Sequence, residues 1–241
     1  MRNCILLLIV LMLGSSVNAQ RDDIVLTKEK KEFAFKSIQD LKEGALVVRL
    51  KTNQRKIEIL ERNLRNPNLT KAQRRRQEAI LEGTLKVRDD FNKAIGNMFR
   101  DSFSFCPVYL MYDTCSKALN QGVREGLFLG EDGKIDPSIK IQAPHVFIVN
   151  YKKSGADFPF DVLRVRRLEE KLEEPFPYYV ALRESWINQV NSPRAARAVE
   201  QLNRKFYSFY SRALEYEKKM AERAARNAAN KAAESAAKSE G

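Results

Sequence analysis

The apolar positions of this chain change their period several times, and the changes predict its elements. Residues 20–43 are mixed and charged, but Thr27 can cap a short helix with Phe35, Ile38 and Leu41 on one face and Gly44 at its end. Residues 45–50 read Ala-Leu-Val-Val-Arg-Leu, a short β-branched run behind a glycine, and predict a buried strand. Over 52–100 the spacing becomes helical. Ile57, Leu60 and Leu64 mark one stripe, Asn66-Pro67-Asn68-Leu69 breaks it, and Thr70 with Gln73 starts a second helix as a capping box. That helix carries Ile80, Thr84, Val87, Phe91, Ile95 and Met98, with Leu81 and Leu85 widening the stripe. The two helices predict an antiparallel hairpin.

The longest apolar run after the N-terminal leader is Ser102 to Tyr112. Apolar residues occupy both parities: Phe103, Phe105, Tyr109 and Met111 on one side, Cys106, Val108, Leu110 and Tyr112 on the other. A strand over 103–112 buried on both faces belongs inside an α/β layer structure. Pro107 donates no ladder bond, so the strand is interrupted, bulged or at an edge there. Asp113 or Thr114 can cap a helix over 115–121 that ends at Gly122. Leu127-Phe128-Leu129 predicts a short strand, and 144–151 a second convincing buried strand. Lys152 to Asp157 reads as a hairpin-like connection into a strand at Val162-Leu163-Arg164-Val165-Arg166. Residues 167–174 can form one or two helical turns, and Pro175 to Val180 is extended and aromatic. Pro193 opens a last helix whose stripe is Val199, Leu202, Phe206, Phe209 and Ala213. After Met220 large apolar residues vanish, so 221–241 reads as a frayed or disordered Ala/Lys-rich tail.

These elements predict an α/β (or α+β) fold: a small mixed sheet covered by the long helical hairpin, plus a C-terminal helix. The expected organisation is a signal peptide over 1–19, an N-terminal segment over 20–43, one domain over 44–190, an amphipathic helix over 191–220 and the tail. The order strand 45–50, helical excursion, strand 103–112, helix 115–121, strand 145–151, strand 161–166, helix 167–174 resembles the thioredoxin fold. Pro144 is similar in placement to that family's cis-proline. The resemblance covers about half of the chain beyond the leader. It implies topology without activity, because Lys51-Thr52-Asn53-Gln54 stands after strand 45–50, where the family's cysteines would be.

The leader changes the picture of where the protein works. Arg2 precedes an apolar run from Cys4 to Leu13, and Val17-Asn18-Ala19 has the small or aliphatic residues that a signal peptidase reads. Cleavage near Ala19 and a secreted or periplasmic protein are expected. Ten apolar residues reach about 15 Å as a helix, half of a bilayer core, so a transmembrane anchor is not expected after cleavage. The net charge is +12, and +11 once Arg2 is lost. For an exported protein that charge suits an acidic protein or an anionic envelope surface, and makes nucleic acid an unlikely partner.

The candidate chemistry is thin. His145 is the single histidine, which excludes multi-histidine metal sites, and no glycine-rich phosphate loop or nucleophile elbow is present. No metal or cofactor is implied. Cys106 and Cys115 remain after the leader is lost. Residues nine apart on a straight strand sit about 30 Å apart, so a bridge requires the chain to turn, and two free, largely buried thiols are expected. Cys115, at a predicted helix start, is a weak candidate nucleophile, with Cys106 and His145 as weaker ones. Arg55, Lys56, Arg62, Arg65, Lys71, Arg74, Arg75 and Arg76 give the hairpin a basic outer face and are the candidate binding residues. The leading expectation is an exported, non-enzymatic binding or envelope-interaction protein; the alternative is an exported thiol-dependent enzyme using Cys115.

Overall fold

Five strands, Ala45–Leu50 (β1), Val108–Tyr112 (β2), Val146–Lys153 (β3), Asp161–Arg167 (β4) and Tyr179–Leu182 (β5), form one mixed sheet in the order β2-β1-β3-β4-β5. The structure is a computed structural model that describes residues 27–153, 161–168, 170–182 and 193–239. Strand β1 runs parallel to both neighbours, with Leu46 opposite Val108 and Phe147. Strands β3, β4 and β5 are antiparallel in turn, with Val149 opposite Val165 and Leu163 opposite Val180. The helices are 27–43 (α1), Gln54–Leu64 (α2), Lys71–Ser102 (α3), Ser116–Asn120 (α4) and Pro193–Ser239 (α5). The chain is α/β, as the apolar pattern predicts. Among the described residues no helix is long and apolar enough to cross a membrane.

The chain divides into two compact units. The larger comprises Asp40–Leu172 and Pro177–Ser208 and holds the whole sheet. One sheet face is apolar at Val48, Leu110 and Val149 and receives α3: Gly96 lies so close to the Leu110 side chain that a Cβ there would sit 3.0 Å from it. Phe91 and Phe99 of α3 are buried, and the Phe91 ring meets the Tyr151 ring edge-on at 5.0 Å. Val199, Leu202 and Phe206 of α5 complete this side, with Phe206 against Phe103 and Phe105. On the opposite face Ala45, Val47, Met111, Val146 and Ile148 are covered by Leu119, Phe128 and Ile141 from the β2–β3 connection. The smaller unit joins 27–39, Glu173–Phe176 and 209–239. Its centre is Phe209, with Phe35 at 5.2 Å and Phe176 at 5.9 Å between ring centroids.

Several elements differ from expectation. β2 begins only at Val108, because Pro107 lacks an N–H; its carbonyl instead accepts from Leu46 N at 2.9 Å. The predicted Leu127–Leu129 strand is reduced to single bridges, Met111 with Phe128 and Leu129 with Ile135, which cover the outer edge of β2. Ile80 and Val87 on α3 are exposed. A helix of 32 residues is about 48 Å long, more than twice the length of β1, so its first half extends past the sheet and packs only beside α2. No helix forms among the described residues of 167–174, because Arg167 is still paired with Phe147 in the β3–β4 ladder. The Ala143–Pro144 bond is trans; the cis peptide bond among the described residues is Glu174–Pro175. The segment 221–241 does not fray where expected: α5 continues to Ser239, with 221–233 fully solvent-facing. Alanine's high helix propensity favours the extension. The β3–β4 connection and the leader lie outside the described residues.

Candidate functional site

The C-terminal end of β1 is fixed by two long-range clamps. Asn92, buried on α3, accepts from Lys51 N at 3.1 Å and donates to Lys51 O at 2.8 Å, mimicking one more rung of sheet. Thr52 donates from its backbone N–H and its hydroxyl to Asp113 Oδ1. Asn53 then takes a left-handed turn at φ 52°, and α2 starts without a side-chain cap and without an acidic residue in its first turn. Between this turn and Asp113-Thr114 lies an open cleft of about 930 Å³. Arg49, Arg55, Lys56 and Arg62 line it, against only Glu58 and Asp113. Four cations against two carboxylates leave the cleft with net positive charge, and Thr52 holds the Asp113 carboxylate against the cleft wall. The position is physically favoured, since open α/β sheets offer a crevice at the carboxyl ends of their parallel strands.

The structure separates the eight basic candidates. Arg55, Lys56 and Arg62 line the cleft, whereas Arg65, Lys71, Arg75 and Arg76 are placed elsewhere on the hairpin. Arg74 is structural: its guanidinium donates to Leu64 O at 2.7 Å and Asn66 O at 3.4 Å, closing the C-terminal carbonyls of α2. Arg49, Thr52 and Asp113 are not among the binding candidates that the sequence singles out. The one signal it offers is a charged residue inside the otherwise apolar run of β1.

The thiols and the histidine do not assemble. Cys106 and Cys115 are both free, with Cys106 buried before β2 and Cys115 half-buried beyond its end. Burial pushes the Cys106 thiol up to about 12, against the weaker opposing pull of the Lys42 charge and the Leu46 N–H. Cys115 closes a 3-10 turn before the short α4 and packs against the Met111–Phe128 cluster. His145 sits at the other end of the sheet, where its carbonyl accepts from Ala45 N and its ring lies 3.5 Å from Asp40. The length of β1, about 17 Å, keeps it from Cys115. Asp40 is buried and also holds Arg167 at 2.9 Å, so His145 belongs to a structural charge cluster. Among the described residues no three His, Cys, Asp or Glu side chains come together as a metal would require. No protein-family model, curated protein or solved structure matches this chain.

Proposed function

We propose that this is an exported, non-enzymatic binding protein that engages an acidic protein or an anionic envelope surface through the cleft at the carboxyl end of β1. The observation that carries the reading is the convergence of Arg49, Arg55, Lys56 and Arg62 on one open cleft with two carboxylates, Glu58 and Asp113, to oppose them. The uncapped start of α2 adds its dipole in the same direction. The separation of Cys115 from His145 supports binding over catalysis. Export rests on the leader pattern of residues 1–19, with the protein outside the cytoplasm or in the periplasm after cleavage near Ala19.

A thioredoxin-like topology without its active-site cysteines is part of the same reading. The order β2-β1-β3-β4, with β1 parallel to both neighbours and β4 antiparallel to β3, supports it. The crevice a thioredoxin uses for redox chemistry is then lined by Thr52, Asn53 and cations, which suits a held anion and not a dithiol.

The test is retention on vesicles with half anionic lipid and on immobilised polyglutamate, across a salt series. The wild-type chain binds one of them with steep salt dependence, and Arg55→Gln/Arg62→Gln lowers affinity about tenfold. Retention on neither, or retention indifferent to the double substitution, removes the reading. N-terminal sequencing of the exported chain should begin at Gln20.

A further inference from the structure

The cleft continues onto a part of the sheet that none of the described elements covers. The face that buries Val47 and Ile148 under the β2–β3 connection turns polar toward the end of β1. There Arg49 stands opposite Asn150, and Asn150 opposite Arg164, so the three lie in a row across β1, β3 and β4. Arg166, one step back on the same face, is opposite Ile148. With strands about 4.8 Å apart, the row spans about 10 Å.

Three observations make this row a site and not a solvated surface. Arg49, Arg164 and Arg166 are half-buried, and none has an acidic partner within ion-pair distance among the described residues. Asn150 between them keeps its Oδ1 buried without a hydrogen bond. Arg164, Asn150 and Arg166 line a recess of about 350 Å³ together with Lys171 and with Glu170, which Arg167 pairs at 3.5 Å, and Arg49, the neighbour of Asn150, lines the large cleft. The Arg49–Asn150 pairing thus sets a residue of each recess side by side. Burial pulls the Arg166 guanidinium below its ordinary value and the charge of Arg49 adds to this, the sign of cations held close without an anion between them.

We infer that Arg49, Arg164 and Arg166 form a track for a linear acidic polysaccharide that runs from the cleft across the open face of the sheet. The inference rests on the reading of the cleft as an anion site. A bilayer is flat and meets protruding residues, whereas these guanidiniums are recessed. An acidic peptide gains its main-chain bonds at a sheet edge, and this is a face. Single-stranded nucleic acid needs a succession of stacking platforms, and the row offers one exposed ring, Tyr179 opposite Arg164. Planar guanidiniums match carboxylate and sulfate bidentately, which is the recognition such a glycan offers.

The test is titration of the full chain with a length ladder of sulfated and of carboxylated oligosaccharides, beside polyglutamate and single-stranded DNA of equal charge. Affinity should rise with glycan length until the track is filled. Arg164→Gln/Arg166→Gln should abolish that rise and lower the salt slope by about 2. Because neither Arg has an acidic partner and Arg164 loses only its contact with the Tyr178 ring at 5.4 Å, the thermal midpoint should fall little. Equal affinity for short and long glycans, or a length dependence that survives the double variant, overturns the track. If Arg55→Gln/Arg62→Gln still weakens the shortest glycan in that case, the cleft reading stands alone; if it does not, both fall. Tighter binding of polyglutamate or DNA than of the glycans overturns the choice of polysaccharide.

Discussion

Thr52 places two hydrogen bonds on one oxygen of Asp113, 3.1 Å from its backbone nitrogen and 2.6 Å from its hydroxyl. The residues are 61 apart in sequence. The contact ties the β1–α2 turn to the end of β2 and sets one wall of the cleft.

Asp113→Ala leaves the Thr52 N–H and hydroxyl without their acceptor. Urea unfolding should show a loss of about 2 kcal/mol, and Asp113→Asn, which keeps an acceptor oxygen, less than half of it. Both variants remove the same carboxylate from the cleft, so anion affinity should be lower for Asp113→Ala than for Asp113→Asn, because only in the former does the turn carrying Arg55 loosen.

Gly44 joins α1 to β1 where two carbonyls close in. A Cβ there would stand 2.5 Å from His145 O and 2.6 Å from Asp40 O. Both are backbone atoms and cannot swing aside. Gly44→Ala should cost about 3 kcal/mol, measured by the denaturation midpoint at unchanged slope.

The Cys106 thiol should make stability fall at high pH. Its folded value is raised from 9.0 to about 12, chiefly by burial. Below about 9 the thiol is neutral in both states and nothing is lost. Between about 9 and 12 only the unfolded chain ionises, so stability declines as pH rises. Cys106→Ala should flatten that decline in thermal melts. At neutral pH the half-buried Cys115 should alkylate well before Cys106, and equal rates would refute the assignment of burial.

Asp40 sits between Arg167 at 2.9 Å and His145 at 3.5 Å, nearly out of solvent. Asp40→Ala removes the buried partner of Arg167 and leaves it only the exposed Glu170 at 3.5 Å, which should cost about 2 kcal/mol. His145→Gln should cost under about 1 kcal/mol, since Arg167 remains the main partner. The contrast is read from paired denaturation curves.

Truncation after Met220 removes helix without removing core, because residues 221–233 are exposed throughout. The unfolding free energy should change by less than about 0.5 kcal/mol, while the helical circular-dichroism signal drops.

Element starts were legible because their signals are local. Thr70 and Gln73 form the capping box their spacing predicts, with Gln73 N 3.2 Å from the Thr70 hydroxyl, and Pro193 opens α5. The apolar runs of β1 and β3 also read correctly, since strands buried by neighbours need no pairing information to look buried. What failed was extent: Ile80 and Val87 fit a helical stripe but lie beyond the sheet's reach, and α5 stays helical to Ser239 with 221–233 exposed. Of the eight basic candidates only Arg55, Lys56 and Arg62 reach the cleft, because hairpin charge alone does not say which face meets the sheet.

By itself the sequence determined the alternation of strand and helix, the Thr70 capping box and the basic charge, all of which follow from residue type and short spacing. Only the tertiary structure decided where that charge gathers. Arg49, Arg62, Asp113 and Arg166 come from four separate elements. Their meeting depends on β1 pairing in parallel with β2 and β3, and on β4 folding back in one register, Ile148 against Arg166. A slip of one residue would send Arg164 and Arg166 into the apolar face under α3, and the burial of Val165 and Leu163 on that face is what forbids it.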